Sequence, residues 1–314
     1  MKPCAWMFLA ALLLPAAAGA QTVYVPNEKS GTVSVIDAAT DAVVGTFAAG
    51  GRPRGIALSP DGATLYVSDQ SANALLVIDA RTRRVMASIA LGKSPEGIDL
   101  SRDGRWIAAA VEEDNAVLLV DTSAMKVVAS MPVAGMNPEH AVFSPDGRWL
   151  YVSAEDGAQV DVIDVASRSQ AGSVAVGRRP RGIAFVPDGS VAYVACELEG
   201  KVYAIDVATR GVTASIAAGE FSNGVVAGAG RVFVSNGRSA SVTVLETGTH
   251  RLLATIPVGQ RPWNMAMTPD GRKLYVANGR SNSVSVIDPL TLAVTREVAV
   301  GEAPWGVAAG RAVP

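Results

Sequence analysis

The chain has 314 residues, nearly balanced between 27 Lys and Arg and 29 Asp and Glu, for a net charge of −2, with 49% hydrophobic residues but only 5% aromatic ones. That balance disfavours a polyanion-binding protein, because nucleic-acid binding draws on a clustered basic surface. Two histidines and two cysteines in the whole chain leave little for a His/Cys metal centre.

Taken in chain order, the first element is a leader. Lys2 supplies a positive start, Ala5 to Ala18 are almost wholly apolar, and Ala18-Gly19-Ala20 is a small-residue cleavage site. Residues 1–20 therefore read as a signal peptide cut before Gln21, and 21–314 as a single exported domain, periplasmic or secreted. The apolar run is short for a membrane span, and no later stretch reaches the roughly 18 apolar residues that one needs. Cys4 leaves with the leader, so Cys196 is alone and has no internal partner for a disulfide.

After the leader the sequence repeats. The acid that closes each "VID"-like run falls at Asp37, Asp79, Asp121, Asp164, Asp206, Glu246 and Asp288, at spacings of 40 to 43 residues. Prolines count independently, at 53, 95, 138, 180, 262 and 304, with Ser222 in the remaining place. Both series have seven members, and a fixed period of this length decides the architecture before any secondary structure is argued.

Within the unit that starts at Pro53, short β-branched runs are separated by turn chemistry, "SPDG" and "DARTR". The pattern predicts strands A to D at 55–59, 64–69, 74–80 and 85–91. Four antiparallel strands every 40 to 45 residues are the mark of a propeller blade. "TVYVPNEKSGTVSVIDAATDAVVGTFAAG" (22–50) holds strands B, C and D without A, and "APWGVAAG" (303–310) is an A strand with nothing after it but a tail. The expected fold is all-β: a seven-bladed propeller whose first blade is split between the two ends of the domain.

The units resemble the YVTN β-propeller repeat, through "YVPN" (24–27), "YVSD", "YVSA", "YVAC", "FVSN" and "YVAN". Ala108 in the third unit and "AGAG" (227–230) in the sixth depart from the pattern, and the "GH" and "WD" marks of WD40 repeats are absent. Seven such repeats behind a signal peptide are similar to the PQQ-dependent catabolism-associated β-propeller proteins. The resemblance implies association with periplasmic alcohol oxidation, and as partner a quinoprotein dehydrogenase, a cytochrome or a transport component; it implies no covalently bound cofactor, and leaves open whether PQQ itself binds.

In such a blade the D-to-A and B-to-C loops share one face, and here they vary from unit to unit while the opposite turns are monotonous. Variation on a rigid scaffold is how binding surfaces are usually built. Around the axis the residue after each proline position is Trp305, Arg54, Glu96, Glu139, Arg181, Asn223 and Trp263, with Arg52, Arg179 and Arg261 just before their prolines. The expectation is a polar mouth in which Glu96 and Glu139 adjoin, flanked by Arg54 and Arg181 in plain ion pairs, with Trp263 and Trp305 opposite. His140 and Asn264 also belong to the expected mouth, where five units have glycine, and a need for positive φ accounts for both residues. The B-to-C loops predict an acidic, partner-facing rim of Glu112, Glu113, Asp114, Glu155, Asp156, Glu197 and Glu199, able to steer a basic partner.

The chain lacks a G-x-S-x-G elbow, a P-loop, H-E-x-x-H and C-x-x-C-H. No catalytic or metal residue is assigned, and the leading expectation is a monomeric, non-catalytic binding protein without nucleic-acid or membrane-spanning function. Two alternatives stay open: a lactonase-like hydrolase built on Glu96, Glu139, His140 and Asn223, and an extracytoplasmic interaction module of an unrelated pathway.

Overall fold

The computed structural model describes residues 21–311, so the signal-peptide reading of residues 1–20 lies outside the described residues. Seven four-stranded antiparallel sheets account for the strands among them, each in the order A-B-C-D. Blade one is split: Gln21–Asn27, Thr32–Asp37 and Ala42–Ala48 supply strands B to D, and Ala308–Arg311 supplies strand A. Blades two to seven are continuous, starting at Pro53, Pro95, Pro138, Pro180, Ser222 and Pro262.

In blade two the strands run Pro53–Leu58, Thr64–Asp69, Ala74–Asp79 and Arg84–Ala90. Strand A thus starts two residues before the expected limit, at the proline. Proline is tolerated there because it is the first residue of an edge strand, where no ladder N–H is required. The turns follow the sequence chemistry: Ser59 Oγ donates to Asp61 Oδ1 (2.5 Å), Asp61 accepts from Ala63 N (2.9 Å), and Gly62 takes φ of 78°. In blade six "AGAG" leaves a two-residue turn, with Ala229 and Gly230 at φ of 51° and 72°, which suits the twist of a tight hairpin.

The core is interblade. Seven apolar clusters each join neighbouring blades, and the last closes the ring by packing Tyr275, Ala277, Val284 and Val286 of blade seven on Val23, Val25, Ile36 and Val307 of blade one. Closure is reinforced by the ladder from Gln21–Arg311 to Tyr24–Ala308 and an isolated Asn27–Pro304 bridge. Residues 305–307 are not in a strand, although Trp305 N donates to the Pro26 carbonyl (3.0 Å), so the predicted closing strand at 303–310 is interrupted. A polar latch crosses the same seam: Asp41 accepts from Lys273 Nζ (2.8 and 2.7 Å) and from Tyr275 Oη (2.5 Å).

Candidate functional site

Strand A of blades two to seven carries the device that builds the site. In blade two its register jumps between Pro53 and Ile56, and blades three, five, six and seven jump at the same place; blade four jumps between Pro138 and His140. The bulged pair is the variable residue plus the glycine position, and a bulge re-aims side chains away from the ladder. The freed backbone groups find a serine on strand B. Ser68 Oγ accepts from Gly55 N (2.8 Å) and donates to the Glu96 carbonyl of the next blade (2.7 Å). Ser235 accepts from Gly224 N (2.8 Å) and donates to the Trp263 carbonyl, and Ser153 accepts from His140 N (3.0 Å).

The glycine position is explained by crowding and not by φ. None of Gly55, Gly97, Gly182, Gly224, Gly306, His140 or Asn264 has positive φ, which corrects the expectation for His140 and Asn264. A Cβ at Gly55 would stand 2.6 Å from the Glu96 carbonyl oxygen, and at Gly182 or Gly224 it would stand 2.5 Å from the next blade's carbonyl. Innermost strands converge on the axis there. Asn264 reaches blade one, its Nδ2 donating to the Trp305 carbonyl (3.3 Å).

The bulges open on a mouth of about 310 Å³ at the axis. Arg52, Arg54, Glu96, Glu139, Arg179, Arg181, Asn223, Arg261, Trp263 and Trp305 all line it, as expected, whereas His140 and Asn264 line a smaller cavity beneath it. Three of the rim residues also turn inward: Glu112 and Glu155 line the mouth, and Glu197 pairs with its arginines. Glu113, Asp114 and Asp156 stay exposed, and Glu199 is tied to Tyr203 Oη (2.7 Å) and Arg178 N (3.1 Å). The expected acidic rim is therefore split, its first residue in each blade belonging to the mouth. Glu28 and Gln70, which the sequence reading passed over, occupy that same place after strand B and complete the wall. The signal was present as the series Glu28, Gln70, Glu112, Glu155, Glu197, Gly237, Gly279. Its two glycines make room: a Cβ at Gly279 would strike the Trp263 indole at 2.6 Å, and one at Gly237 would meet Arg261 at 3.0 Å.

Ion pairs knit the charged sector. Arg54 binds Glu96 and Glu28, and Arg52 binds Glu28 at 2.5 Å. Arg181 reaches Glu139 (2.5 Å), Glu155 (2.7 Å) and Glu197 (2.9 Å), while Arg179 pairs with Glu155 (3.1 Å) and Arg261 with Glu197 (2.9 Å). Burial, reinforced by the charge of Glu139, pushes Glu96 up to about 9 despite Arg54. Burial and Glu139 likewise raise Glu155 to about 7. Burial pushes Glu139 upward too, but Arg181 and His140 outweigh it and hold Glu139 below the usual carboxylate range. These opposite directions let a crowded set of carboxylates coexist.

Below the charged sector His140 and Trp305 form a floor, stacked with centroids 5.6 Å apart and planes at 11°. A second cavity of about 150 Å³, lined by Gly55, Gly97, Ile98, Gly182 and Met265, also touches both rings. Burial holds His140 below the usual imidazole range, an effect that Glu139 opposes in part. Elsewhere, His250 contacts Tyr193 Oη (3.3 Å) at the seam of blades five and six. Cys196 is buried, and burial raises its thiol to about 12, which suits a packing role. Among the described residues, no three His, Cys, Asp or Glu side chains converge as metal ligands, and no helix is long and apolar enough to cross a membrane.

Two family models match parts of the chain: a seven-bladed lactonase propeller over residues 166–299 and a YNCE-like β-propeller over residues 10–105. Among solved structures, a hydrazine synthase chain of Kuenenia stuttgartiensis is 23% identical with a TM-score of 0.77, covering 90% of this chain and 99% of that one. A functionally unknown protein of Desulfotomaculum acetoxidans is 16% identical with a TM-score of 0.82, covering 93% and 99%. The dihydro-heme d1 dehydrogenase NirN is 17% identical with a TM-score of 0.68, covering 88% of this chain and 62% of that one. At such identities the likeness is one of fold. No curated protein matches the sequence.

Proposed function

We propose that this chain, a seven-bladed propeller of the lactonase and YNCE-like kind, is an exported, monomeric binding protein that receives a small ligand in its axial mouth. The observation that carries the reading is the mouth itself: bulged innermost strands from around the ring aim charged and indole side chains into one cavity of about 310 Å³, closed below by His140 and Trp305. A concave, preformed cavity with convergent polar groups is the usual form of a small-ligand site. Its carboxylates and guanidinium groups hold one another in place, which favours a binding role over nucleophilic chemistry.

The biological setting follows from the resemblance of the repeats. The protein serves periplasmic alcohol oxidation by PQQ-dependent dehydrogenases, with a dehydrogenase, cytochrome or transport component on the face that carries the mouth. Affinity capture from the periplasm of the native host tests this, and such a component is the expected catch. Recovery of none of them, together with no quinone binding, removes the pathway from the reading.

The match to the lactonase propeller model supports a second reading, a hydrolase. That match covers residues 166–299 and so contains Asn223 but not Glu96, Glu139 or His140. This reading expects lactone hydrolysis suppressed by Glu139→Gln and by chelators, and activity indifferent to both excludes it.

A further inference from the structure

Five glutamates, at 28, 96, 112, 139 and 155, and five arginines line the mouth, with Glu197 behind them, and every one of the arginines is already paired. Glu112 forms no ion pair and accepts only from Ser94 Oγ (2.9 Å). Glu96, with its side chain 1% exposed, spends Oε1 on Arg54 and Gln70 while Oε2 is buried without a partner. A buried carboxyl oxygen with nothing to bind is costly unless something else satisfies it. The opposite wall carries two indoles: Trp263 lies over Gly279, and Trp305 is stacked on His140 at the floor.

Carboxylates on one side and indole faces on the other attract the same kind of ligand, since a cation gains from charge and from the ring quadrupole together. A metal ion has no converging ligand set here, and an indole does not ligate one. An incoming anion finds every guanidinium already paired with a carboxylate and faces the unpaired Glu112. Building on the reading of the mouth as a ligand site, we infer that it takes an organic cation, an alkylammonium or a cationic aromatic ring, held between Glu96 and Glu112 and the indoles of Trp263 and Trp305. Burial first, and the charges of Glu139 and Glu112 after it, raise the affinity of Glu96 for protons against the pull of Arg54. The arriving cation displaces that proton.

Calorimetric titration of the full mature chain at pH 8 with phenyltrimethylammonium chloride, and separately with sodium benzoate, tests the inference. Saturable binding of the cation and none of benzoate is expected, with heats that differ between Tris and phosphate because a proton is released. Trp263→Ala and the double variant Glu96→Gln, Glu112→Gln should each weaken the cation at least tenfold, and isosteric Gln keeps the wall filled if the indole variant fails to fold. Benzoate binding as tightly as the cation, lost in Trp263→Ala, overturns the cation inference and leaves the mouth reading standing, as does cation binding untouched by the Gln pair. Binding of neither probe counts against both.

Discussion

His140 of blade four stacks on Trp305 of blade one across the axis of the ring, with centroids 5.6 Å apart. His140 follows the register shift of the innermost strand of blade four, and Trp305 is carried by the closing segment between the Pro304 bridge and Ala308. The floor of the mouth therefore exists only when the ring is closed. Trp305→Ala is expected to cost about 3 to 5 kcal/mol, the usual range for a buried large aromatic, and to join the mouth to the cavity beneath it. Thermal unfolding together with the His140 NMR resonance checks this; a melting temperature unchanged within a degree would contradict it.

Removing residues 304–314 deletes the Ala308–Arg311 ladder, the Pro304 bridge and the Trp305 stack at once. Hydrogen bonds at about 1 kcal/mol each, added to the lost aromatic burial, approach the whole stability of a domain, about 5 to 15 kcal/mol. The truncated chain should lose cooperative unfolding by calorimetry. A truncated chain that melts like the intact one would disprove the split-blade closure.

The Asp41 latch crosses the same seam, and Lys273 Nζ also donates there to the Ala38 carbonyl (2.7 Å). Lys273→Met and Tyr275→Phe each remove one donor group from a buried carboxylate and should each cost about 1 to 3 kcal/mol. Because they share an acceptor, their effects should be non-additive by about 0.5 kcal/mol or more in a double-mutant cycle. Strict additivity would mean that the latch does not act as a unit.

The serines behind the bulges differ in how well they are bonded. Ser68 has two good bonds, at 2.8 and 2.7 Å, whereas the second contact of Ser153 is 3.4 Å. Ser68→Ala should destabilise by about 1 to 2 kcal/mol, more than Ser153→Ala, measured by denaturant midpoint. The same position is Ala110, Ala195 and Ala277 in other blades, so neither change should unfold the protein. Equal effects would detach the bulge from its serine.

Glu96 predicts a pH dependence. Its native proton is held up to about 9, against a reference value of 4.5 in the unfolded chain. The unfolded state therefore binds fewer protons in this window, so the contribution of Glu96 is full below about 4.5 and is lost as pH rises towards 9. Between pH 6 and 9 the wild-type melting temperature should fall more steeply than that of Glu96→Gln, whose amide does not ionise. Parallel slopes would show that Glu96 is already ionised in the folded protein.

Much of this architecture was legible in the chain because blades are local: each buries its apolar face on neighbours of the same pattern, so period, strand order and the split blade are written in the spacing of Asp37 to Asp288 and Pro53 to Pro304. The angular order of the mouth residues follows from the same periodicity, which is why Arg54, Glu96, Glu139, Arg181, Trp263 and Trp305 were found together. Tertiary structure alone decided how those side chains are used. Convergence of the inner strands sets the glycine position by contact and not by φ, the loops after strand B bring Glu28, Glu155 and Glu197 to the arginines, and His140 meets a tryptophan three blades away. These are distances across the axis, and a linear repeat records the angle of each residue around a ring without recording how far inward it reaches.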